Sequence, residues 1–436
     1  MPFSSLGLDA QLIRAIAARH YLAPTPIQAA AIPATLRGAD VRVCAPTGSG
    51  KTAAFVLPIL QQLLGEQRQT PRRIHALILV PTRELAAQIG ASLCTYSRYL
   101  SSPIKILSVF GGVSINPQLM ALRAGADIVV ATPGRLLDLV DHNALTLSTV
   151  ATLVLDEADK LLELGFAEEL ARILGLLPRQ RQSVLVSATF PAAVEALAET
   201  LLRDPVRIEV PSTPATESAI VQRAIEVDEK RRTQLLRHLI EEQCWTRVLV
   251  FVATKYSTEH VAEKLRRGGI NAAPFHGELS QGARTQTLAD FKAAKLRVVV
   301  ATDVAARGID IAHLPVVVNY DLPRSAVDYI HRIGRTGRAG ESGIAVSFVT
   351  ASSKAHFRLI EKRHHLSLAY EQVVGFEPVE IPEPVPQAIA STGGIKGNRK
   401  SKKDKLREAA ARAGNAQPAK PIASEIRKSP WPSRRS

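Results

Sequence analysis

Cysteines and long apolar runs are scarce in this chain of 436 residues. Cys44, Cys94 and Cys244 lie far apart and form no CxxC pair, which argues against a zinc site and a disulfide framework. We interpret them as small, buried apolar residues in a reducing compartment. No uncharged apolar run approaches the roughly 18 residues of a membrane helix, and Arg14 and Arg19 interrupt the region where a signal peptide has its apolar stretch. We therefore expect a soluble, cytoplasmic protein with no membrane partner.

Acidic residues are too few to balance the basic ones. The chain carries 55 Lys and Arg against 40 Asp and Glu, a formal net charge of +15. Such an excess favours a polyanionic partner, either nucleic acid or an acidic membrane surface. From residue 391 onward there are 13 basic and 3 acidic residues. This composition predicts a disordered basic tail over residues 373–436, which either contacts phosphate backbones or only keeps the protein soluble.

Short apolar, β-branched runs recur along the chain and alternate with longer stretches of helical spacing. Strands that are apolar on both faces and alternate with helices are typical of a parallel sheet covered on both sides. The runs are VRVCA (41–45), HALILV (75–80), IKILSVF (104–110), DIVVA (127–131), TLVLD (152–156), SVLVS (183–187), RVLVFV (247–252), RVVVA (297–301), PVVVNY (315–320) and GIAVSFV (343–349). They predict an α/β fold.

Two α/β domains are predicted, because the alternation stops once and then resumes. The segment VPSTPATES at 210–218 is rich in Pro, Ser and Thr and lacks an apolar period, which is typical of a linker. We place the first domain at residues 1–210, the linker at 211–218, a second and smaller domain at 219–372, and the tail after it. The length supports this division, since one hydrophobic core seldom serves more than about 250–300 residues.

The segment APTGSGKT, Ala45 to Thr52, follows the strand VRVC and precedes an apolar helical pattern. This is the setting of a P-loop, in which backbone N–H groups hold phosphates, Lys51 reaches the β- and γ-phosphates, and Thr52 faces Mg²⁺. The strict pattern begins with Gly where this chain has Ala45, but GKT is intact. We predict a nucleotide site formed by Thr47, Gly48, Ser49, Gly50, Lys51 and Thr52.

An acidic segment supplies what a P-loop requires on a neighbouring strand. In TLVLDEAD, Asp156 stands at the C-terminal end of an apolar strand, where it suits Mg²⁺, and Glu157 beside it can orient an attacking water. Two adjacent carboxylates on a surface loop would mean little. At the tip of a buried strand, in a chain that carries GKT, they are predicted to be catalytic.

The stretch HRIGRTGRAG, His331 to Gly340, gathers Arg332, Arg335 and Arg338 in a glycine-rich loop. Guanidinium groups bind phosphate oxygens in planar, bidentate fashion, and glycines let a backbone approach a ligand closely. A solvated basic loop is the alternative interpretation.

A set of motifs in this chain resembles the DEAD-box ATP-dependent RNA helicases. In chain order the motifs are PTPIQ (24–28), APTGSGKT (45–52), PTRELA (81–86), GG (111–112), TPGR (132–135), DEAD (156–159), SAT (187–189), TDVAARGID (302–310) and HRIGRTGR (331–338). The resemblance runs from Phe3 to about Thr350, and the short core with a basic tail resembles the bacterial RhlE-like branch. It implies two RecA-like parallel-sheet domains in tandem, with ATP and Mg²⁺ as cofactors and RNA as the partner.

The resemblance assigns roles around the nucleotide. It implies that the Gln28 amide pairs with adenine and that Phe3 covers the ring. It also implies that Asp310 contacts the nucleotide and that Thr52 and Asp156 hold Mg²⁺, partly through water.

The resemblance also answers why arginines gather in a flexible loop. It implies that Arg335 and Arg338 reach the γ-phosphate held by Lys51 from the other domain. A finger supplied across a cleft stabilises the transition state only when the cleft is shut, so hydrolysis would depend on domain closure. The residues that would couple closure to the chemistry are Asp159, Ser187, Thr189, Asp303 and His331.

RNA contacts are implied on both domains. The residues offer N–H, hydroxyl, amide and guanidinium groups, which suit phosphate and sugar contacts that do not read the sequence. They are Arg83, Gly112, Thr132 and Arg135 on the first domain and Gly277, Gln281, Arg284 and Thr302 on the second. Aromatic residues make up only 5% of the chain, so base stacking is not expected to set specificity. Contacts to the 2′-hydroxyl would distinguish RNA from DNA.

The implied function is an RNA-stimulated ATPase and RNA helicase that couples ATP binding and hydrolysis to RNA clamping and local duplex unwinding. Ribosome assembly or RNA turnover is the expected setting, with ribosomal precursors or RNA-decay complexes as partners of a monomeric chain. Two alternatives stay open: an ATP-gated RNA clamp with little unwinding and a DNA-directed helicase. Two positions depart from the family pattern, since Pro46 stands where the family carries Gln or Glu and His20 where it usually has Gly.

Overall fold

Two parallel β-sheets organise the described part of the chain. The computed structural model of the protein describes residues 2–46, 48–65, 71–210, 220–306, 314–337 and 342–379. The predicted linker and most of the predicted tail lie outside these residues, as do Thr47, Asp310 and Arg338.

The first sheet has seven strands, and all neighbouring strands pair in parallel. The strands are β1 (Val41–Cys44), β2 (Ala76–Leu79), β3 (Ile106–Val109), β4 (Ile128–Ala131), β5 (Thr152–Leu155), β6 (Gln182–Ser187) and β7 (Val206–Glu209). Their order across the sheet is β3-β4-β2-β5-β6-β1-β7. The helices of this first domain are α1 (Ala10–Ala17), α2 (Pro26–Leu36), α3 (Lys51–Leu64), α4 (Arg83–Ser97), α5 (Asn116–Leu122), α6 (Pro133–Asp141), α7 (Ala158–Glu163), α8 (Ala167–Leu176) and α9 (Ala192–Leu201).

The second sheet repeats this architecture with seven parallel strands. They are β8 (Ile220–Glu226), β9 (Val248–Val252), β10 (Ala272–Phe275), β11 (Val298–Thr302), β12 (Val316–Asn319), β13 (Gly343–Val349) and β14 (Tyr370–Glu371). Their order is β10-β11-β9-β12-β13-β8-β14. The helices of this second domain are α10 (Arg232–Glu242), α11 (Lys255–Arg267), α12 (Gln281–Lys292), α13 (Asp303–Ala306), α14 (Ala326–Ile333) and α15 (Lys354–Arg363).

The central strands of the first sheet are buried on both faces, as is typical of parallel sheets that helices cover on both sides. Every residue of β2, β4 and β5 is buried. Along β2, Ile78 belongs to one apolar cluster and Leu77 and Leu79 belong to another, so the two clusters cover opposite faces of the sheet. The predicted α/β fold with two parallel sheets is confirmed, and each of the ten apolar runs overlaps a strand.

The packed chain continues past residue 372, where the sequence places the end of the second domain. Val373 and Phe376 pack against the core of the second sheet, and the Val379 N–H donates to an Asp228 carboxylate oxygen at 3.0 Å. The predicted start of the tail at 373 is therefore too early, because a Pro- and Glu-rich composition does not prevent single apolar side chains from packing.

The cysteines are less buried than their apolar character suggests. Cys94 and Cys244 are exposed and Cys44 is half-buried, so the interpretation of all three as buried residues is wrong. Cys94 lies on the solvent side of α4, and Cys244 lies in the turn after α10. Within the described ranges, no helix is long and apolar enough to cross a membrane.

Candidate active site and nucleic-acid interface

The loop between β1 and α3 forms the first part of the site. Gly48 and Gly50 have φ values of 83° and 93°, which residues with a side chain rarely adopt. A Cβ atom on Gly50 would also lie 2.5 Å from Gln28 Nε2. Glycine is therefore required at position 50, where the loop closes onto Gln28.

Lys51 and Ser49 place polar groups inside this loop. Lys51 Nζ donates to Ala45 O at 2.8 Å, and the side chain is buried. Ser49 Oγ is buried and makes no hydrogen bond within the described part of the chain. An ammonium and an unpaired hydroxyl, enclosed by a glycine loop at a helix N-terminus, suit phosphate oxygens. Thr52 follows as the second residue of α3 and is half-buried.

Gln28 links the start of α2 to the P-loop. Its Oε1 accepts from the Thr25 N–H at 3.0 Å, and its Nε2 donates to Gly50 O at 3.1 Å. A primary amide has two N–H groups and two acceptor lone pairs, so one of each remains for an adenine edge. Phe3, in contrast, is 5% exposed and packs in the core of the first domain. This placement does not support the prediction that its ring covers the adenine.

Asp156 and Glu157 follow β5, which is separated from β1 by β6 alone. Asp156 is buried, and its pKa is raised to about 7, mainly by burial and also by the Glu157 charge, while the Lys51 ammonium opposes the rise. Glu157 has a φ of 52°, a strained conformation of the kind found at functional sites. Its N–H donates to Asp156 Oδ1 at 2.9 Å. Burial also raises the pKa of Glu157, against the opposing effects of Lys51 and Arg335.

These acids fit a shared Mg²⁺ site better than a site made by protein alone. Among the described residues, no group of three or more His, Cys, Asp or Glu side chains could hold a metal. Mg²⁺ in nucleotide enzymes is held by one or two protein oxygens together with phosphate oxygens and water. The Asp156 carboxylate and the Thr52 hydroxyl are such ligands, and buried carboxyls with a raised pKa are stabilised by a nearby cation.

A hydrogen-bond network joins the chain after β5 to the chain after β6. Thr189 Oγ1 donates to Asp159 Oδ2 at 2.9 Å, the Asp159 N–H donates to Ser187 Oγ at 3.2 Å, and Ser187 Oγ donates to Thr189 O at 2.7 Å. The pKa of His331, in the second domain, is lowered to about 4, mainly by burial and also by the Lys160 ammonium, while the Asp159 carboxylate of this network opposes the shift. The ring is therefore neutral at neutral pH.

Arg332 is committed to the interior of the second domain. It is buried, and its guanidinium donates to both carboxylate oxygens of Asp303, at 2.5 and 2.7 Å. It also lies over the Phe251 ring, 4.9 Å from the centroid. Of the three arginines gathered in HRIGRTGRAG, this one is therefore not available to a phosphate. Asp303 anchors it, a role that the sequence did not predict.

Arg335 of the second domain acts electrostatically on an active-site acid of the first. Its guanidinium is close enough to lower the pKa of Glu157, although Glu157 belongs to the first domain and Arg335 to the second. Arg338 and Asp310 lie outside the described residues, so their roles stay predictions.

Among the described residues, two ion pairs connect the first domain to the second. Glu84 of α4 and Arg284 of α12 lie 2.8 Å apart, and each side chain is 5% exposed. Lys160 of α7 lies 3.5 Å from Asp328 of α14. Charged side chains are almost never so fully buried unless a partner faces them. The prediction that Arg284 contacts RNA is not supported in this arrangement, because its guanidinium faces Glu84.

The predicted RNA contacts of the first domain all lie at the C-terminal end of its sheet. Arg83, Gly112, Thr132 and Arg135 all follow the C-terminal ends of β2, β3 or β4. Gly112 has a φ of 73°, and a Cβ atom there would collide with the Arg83 guanidinium. Arg135 donates from Nη2 to Val113 O at 2.8 Å. Its Nε lies 3.5 Å from Asp138 Oδ2, and its Nη1 is buried and forms no hydrogen bond with a described residue.

The predicted RNA contacts of the second domain lie at the C-terminal end of its own sheet. Thr302 ends β11, Gly277 follows β10, and Gln281 begins α12. Gln281 Oε1 and His276 Nδ1 are buried without a hydrogen-bond partner in the part of the chain that the structure describes. Buried polar atoms without partners are uncommon in folded proteins. Ser49 at the P-loop and Gln281 and His276 after the strands of the second domain carry such atoms, which suits surfaces that bind polar ligands.

Comparison with known families identifies the chain. Residues 25–197 match the DEAD/DEAH box helicase family, and residues 231–340 match the helicase conserved C-terminal domain. The ATP-dependent rRNA helicase rrp3 of Emericella nidulans is 41% identical over 88% of this chain and 82% of its own length. The chain belongs to the DEAD-box helicase family.

Other DEAD-box proteins show the same similarity. The ATP-dependent RNA helicase DeaD of Mycobacterium tuberculosis is 41% identical over 86% of this chain, which spans only 66% of that relative. S. cerevisiae Dbp5 bound to RNA and ADP BeF3 is 31% identical, with a TM-score of 0.75 over 85% of this chain and 95% of that one. Mss116p bound to ssRNA and AMP-PNP is 28% identical, with a TM-score of 0.76 over 85% of this chain and 78% of that one. The two RecA-like domains are thereby confirmed, whereas the RhlE-like branch stays a prediction.

One departure from the DEAD-box pattern has a structural explanation. His20 has a φ of 58°, in the left-handed region that glycine adopts without strain and that histidine tolerates better than most residues. The family's Gly and this His therefore serve the same turn after α1. Pro46, the other departure, is exposed at the start of the P-loop.

Arg42 is a residue near this DEAD-box site that sequence reasoning missed. It lies on β1 and donates to both carboxylate oxygens of Glu195, at 2.8 and 2.6 Å. Its guanidinium lies 4.0 Å from the centroid of the Phe190 ring, and Phe190 directly follows Thr189. Arg42 thereby supports the end of the Asp159 network. A lone cation inside the apolar strand VRVC was the sequence feature that could have revealed it.

Proposed function

We propose that this DEAD-box protein is an ATP-dependent RNA helicase in which ATP hydrolysis requires the two domains to close on each other. The observation that carries the proposal is the contact between the two domains, made by the ion pairs of Glu84 with Arg284 and of Lys160 with Asp328. In this arrangement the positive charge of Arg335 acts on Glu157. An arginine supplied across a cleft stabilises a transferring phosphoryl group only in the closed state.

The nucleotide would be held mainly by the first domain. Lys51 and the P-loop backbone bind the phosphates, and the remaining N–H and lone pair of Gln28 recognise adenine. Thr52 and Asp156 hold Mg²⁺, which neutralises phosphate charge when bound. Glu157 orients the attacking water.

RNA would bind across the C-terminal ends of the two sheets. The residues there are Arg83, Arg135, Gly277, Gln281 and Thr302. Dbp5 and Mss116p, the structural neighbours, were solved with RNA, which supports this path. A strand that contacts both domains binds the closed state better than the open one and therefore shifts the population towards it. We propose that closure separates base pairs locally. The rRNA helicase relative supports a ribosomal RNA precursor as the substrate.

The proposal is tested by ATP hydrolysis of the full-length protein without nucleic acid, with single-stranded RNA and with DNA of the same sequence. RNA is expected to raise kcat and DNA to have little effect, and a labelled RNA duplex is expected to separate in the presence of ATP. Equal rates in all three conditions would contradict the proposal. ATP-dependent RNA binding and stimulated hydrolysis with no strand separation would support the clamp alternative.

A further inference from the structure

An exposed pair of aromatic rings lies on α11 of the second domain. Tyr256 and His260, one helical turn apart, stack with ring centroids 5.7 Å apart and an interplanar angle of 12°. Tyr256 is 73% exposed, and His260 is exposed as well. A tyrosine ring gains free energy when it leaves water. A stacked and preordered pair that stays in water therefore presents a flat apolar surface to a ligand.

Two contacts fix α11 beside the proposed RNA path. Lys255 forms an ion pair with Glu278, and Glu259 is hydrogen-bonded to His276 Nε2 at 2.9 Å. The two partners, His276 and Glu278, lie on either side of Gly277, one of the predicted RNA contacts. The helix itself begins directly after β9, at the same C-terminal end of the sheet.

The charge of this helix suits an anionic strand. Lys264 and Arg267 lie on the same side of α11 as His260 and are exposed, and Arg267 forms an ion pair with Glu263 at 2.9 Å. Over its whole length the helix carries more basic than acidic residues, KYSTEHVAEKLRR. Exposed rings flanked by cations match single-stranded nucleic acid, which combines a negative backbone with planar bases.

We infer that Tyr256, backed by His260, is a stacking platform for one base of the RNA strand whose backbone passes Gly277. The inference rests on the proposed function, because it requires RNA to pass along the C-terminal end of the second sheet. Every base has a π-face, so stacking of this kind adds affinity and fixes the strand without reading its sequence. A low aromatic content then does not exclude stacking, since a single ring at the right position is enough.

The first test compares the RNA affinity of side-chain variants at position 256. A short, labelled single-stranded RNA is titrated with full-length protein in the presence of AMP-PNP. Tyr256→Ala and Tyr256→Leu are expected to weaken binding about tenfold, because they remove the ring, whereas Tyr256→Phe retains it. Tyr99→Ala is the matched control, since Tyr99 is also an exposed tyrosine, 41% exposed, near the end of α4 in the first domain.

A second measurement locates the base. In a series of RNAs that each lack one base, wild-type protein is expected to lose affinity at one position, and Tyr256→Ala to show no further loss there. Equal affinity of Tyr256→Ala and wild type for every RNA would overturn the platform while leaving the proposed function intact. Failure of wild-type protein to bind RNA would overturn both. ATP hydrolysis without RNA is expected to be unchanged in all variants, which shows that they fold.

Discussion

Glu157→Gln is expected to lower the kcat of RNA-stimulated ATP hydrolysis about a hundredfold or more, while ATP and RNA still bind. The loss follows from the removal of the carboxylate that accepts or orients the proton of the attacking water, a contribution that typically amounts to about 10²–10⁴. Glutamine keeps the size of the side chain, so the closed state still forms. RNA is therefore expected to dissociate more slowly in the presence of ATP, because hydrolysis no longer reopens the cleft.

A measurement of Tm distinguishes a loss of catalytic rate in Glu157→Gln from a loss of folded protein. Because burial raises the pKa of Glu157, its ionised form is less favourable in the folded protein than in the unfolded chain, which lowers stability at neutral pH. Glutamine is always neutral, so the Tm of Glu157→Gln is expected to equal or exceed that of wild type. Glu168→Gln, an exposed position on α8, is the matched control. A kcat of Glu157→Gln equal to that of wild type would remove Glu157 from the mechanism.

Loss of the ion pair between Glu84 and Arg284 is expected to weaken the stimulation of ATP hydrolysis by RNA. Both side chains are 5% exposed at a separation of 2.8 Å, and removal of one partner from such a pair costs about 3–5 kcal/mol. The cost falls on the closed arrangement, because the remaining charge is solvated once the domains separate. Glu84→Gln and Arg284→Gln are each expected to raise the RNA concentration at half-maximal ATPase stimulation about a hundredfold, by the relation of 1.4 kcal/mol per factor of ten.

The double variant tests whether the two side chains act as a pair. Glu84→Gln combined with Arg284→Gln leaves no isolated buried charge, so its defect is expected to be smaller than the sum of the two single defects. Arg172→Gln is the control, because Arg172 and Asp141 form an ion pair whose side chains are about half exposed within the first domain. Strictly additive defects would show that Glu84 and Arg284 act independently.

Strands that consist of apolar, β-branched runs could be predicted from the sequence, whereas strands with polar residues or proline, such as β7, β8 and β10, could not. β7 has the pattern VRIE with only Ile208 buried, and β10 contains Pro274. Both lie at an edge of their sheets, where proline and polar residues are tolerated because one side of the strand has no partner. β8 lies inside the sheet but carries Gln222 and Arg223, so its apolar pattern is too weak to identify it.

The site was predictable where its residues are close in sequence. The P-loop and the acids after β5 each depend on one strand end and the residues that follow it, and the Thr189 network joins two such motifs, DEAD after β5 and SAT at the end of β6. The pairing of Glu84 with Arg284 depends on how two domains pack, and no local pattern specifies that. The same holds for Arg332, which has the sequence context of a phosphate ligand but contacts Asp303 inside its own domain.

Domain closure, the central claim, is tested most directly by fluorescence energy transfer between Cys94 and Cys244. These natural cysteines are exposed and lie on the first and second domains, and Cys44→Ser removes the half-buried third thiol. Transfer efficiency is measured with no ligand, with AMP-PNP, with RNA and with both. A new efficiency that dominates only when both ligands are present is the result expected for coupled closure. The same efficiency in all four conditions, together with RNA-stimulated hydrolysis, would contradict it.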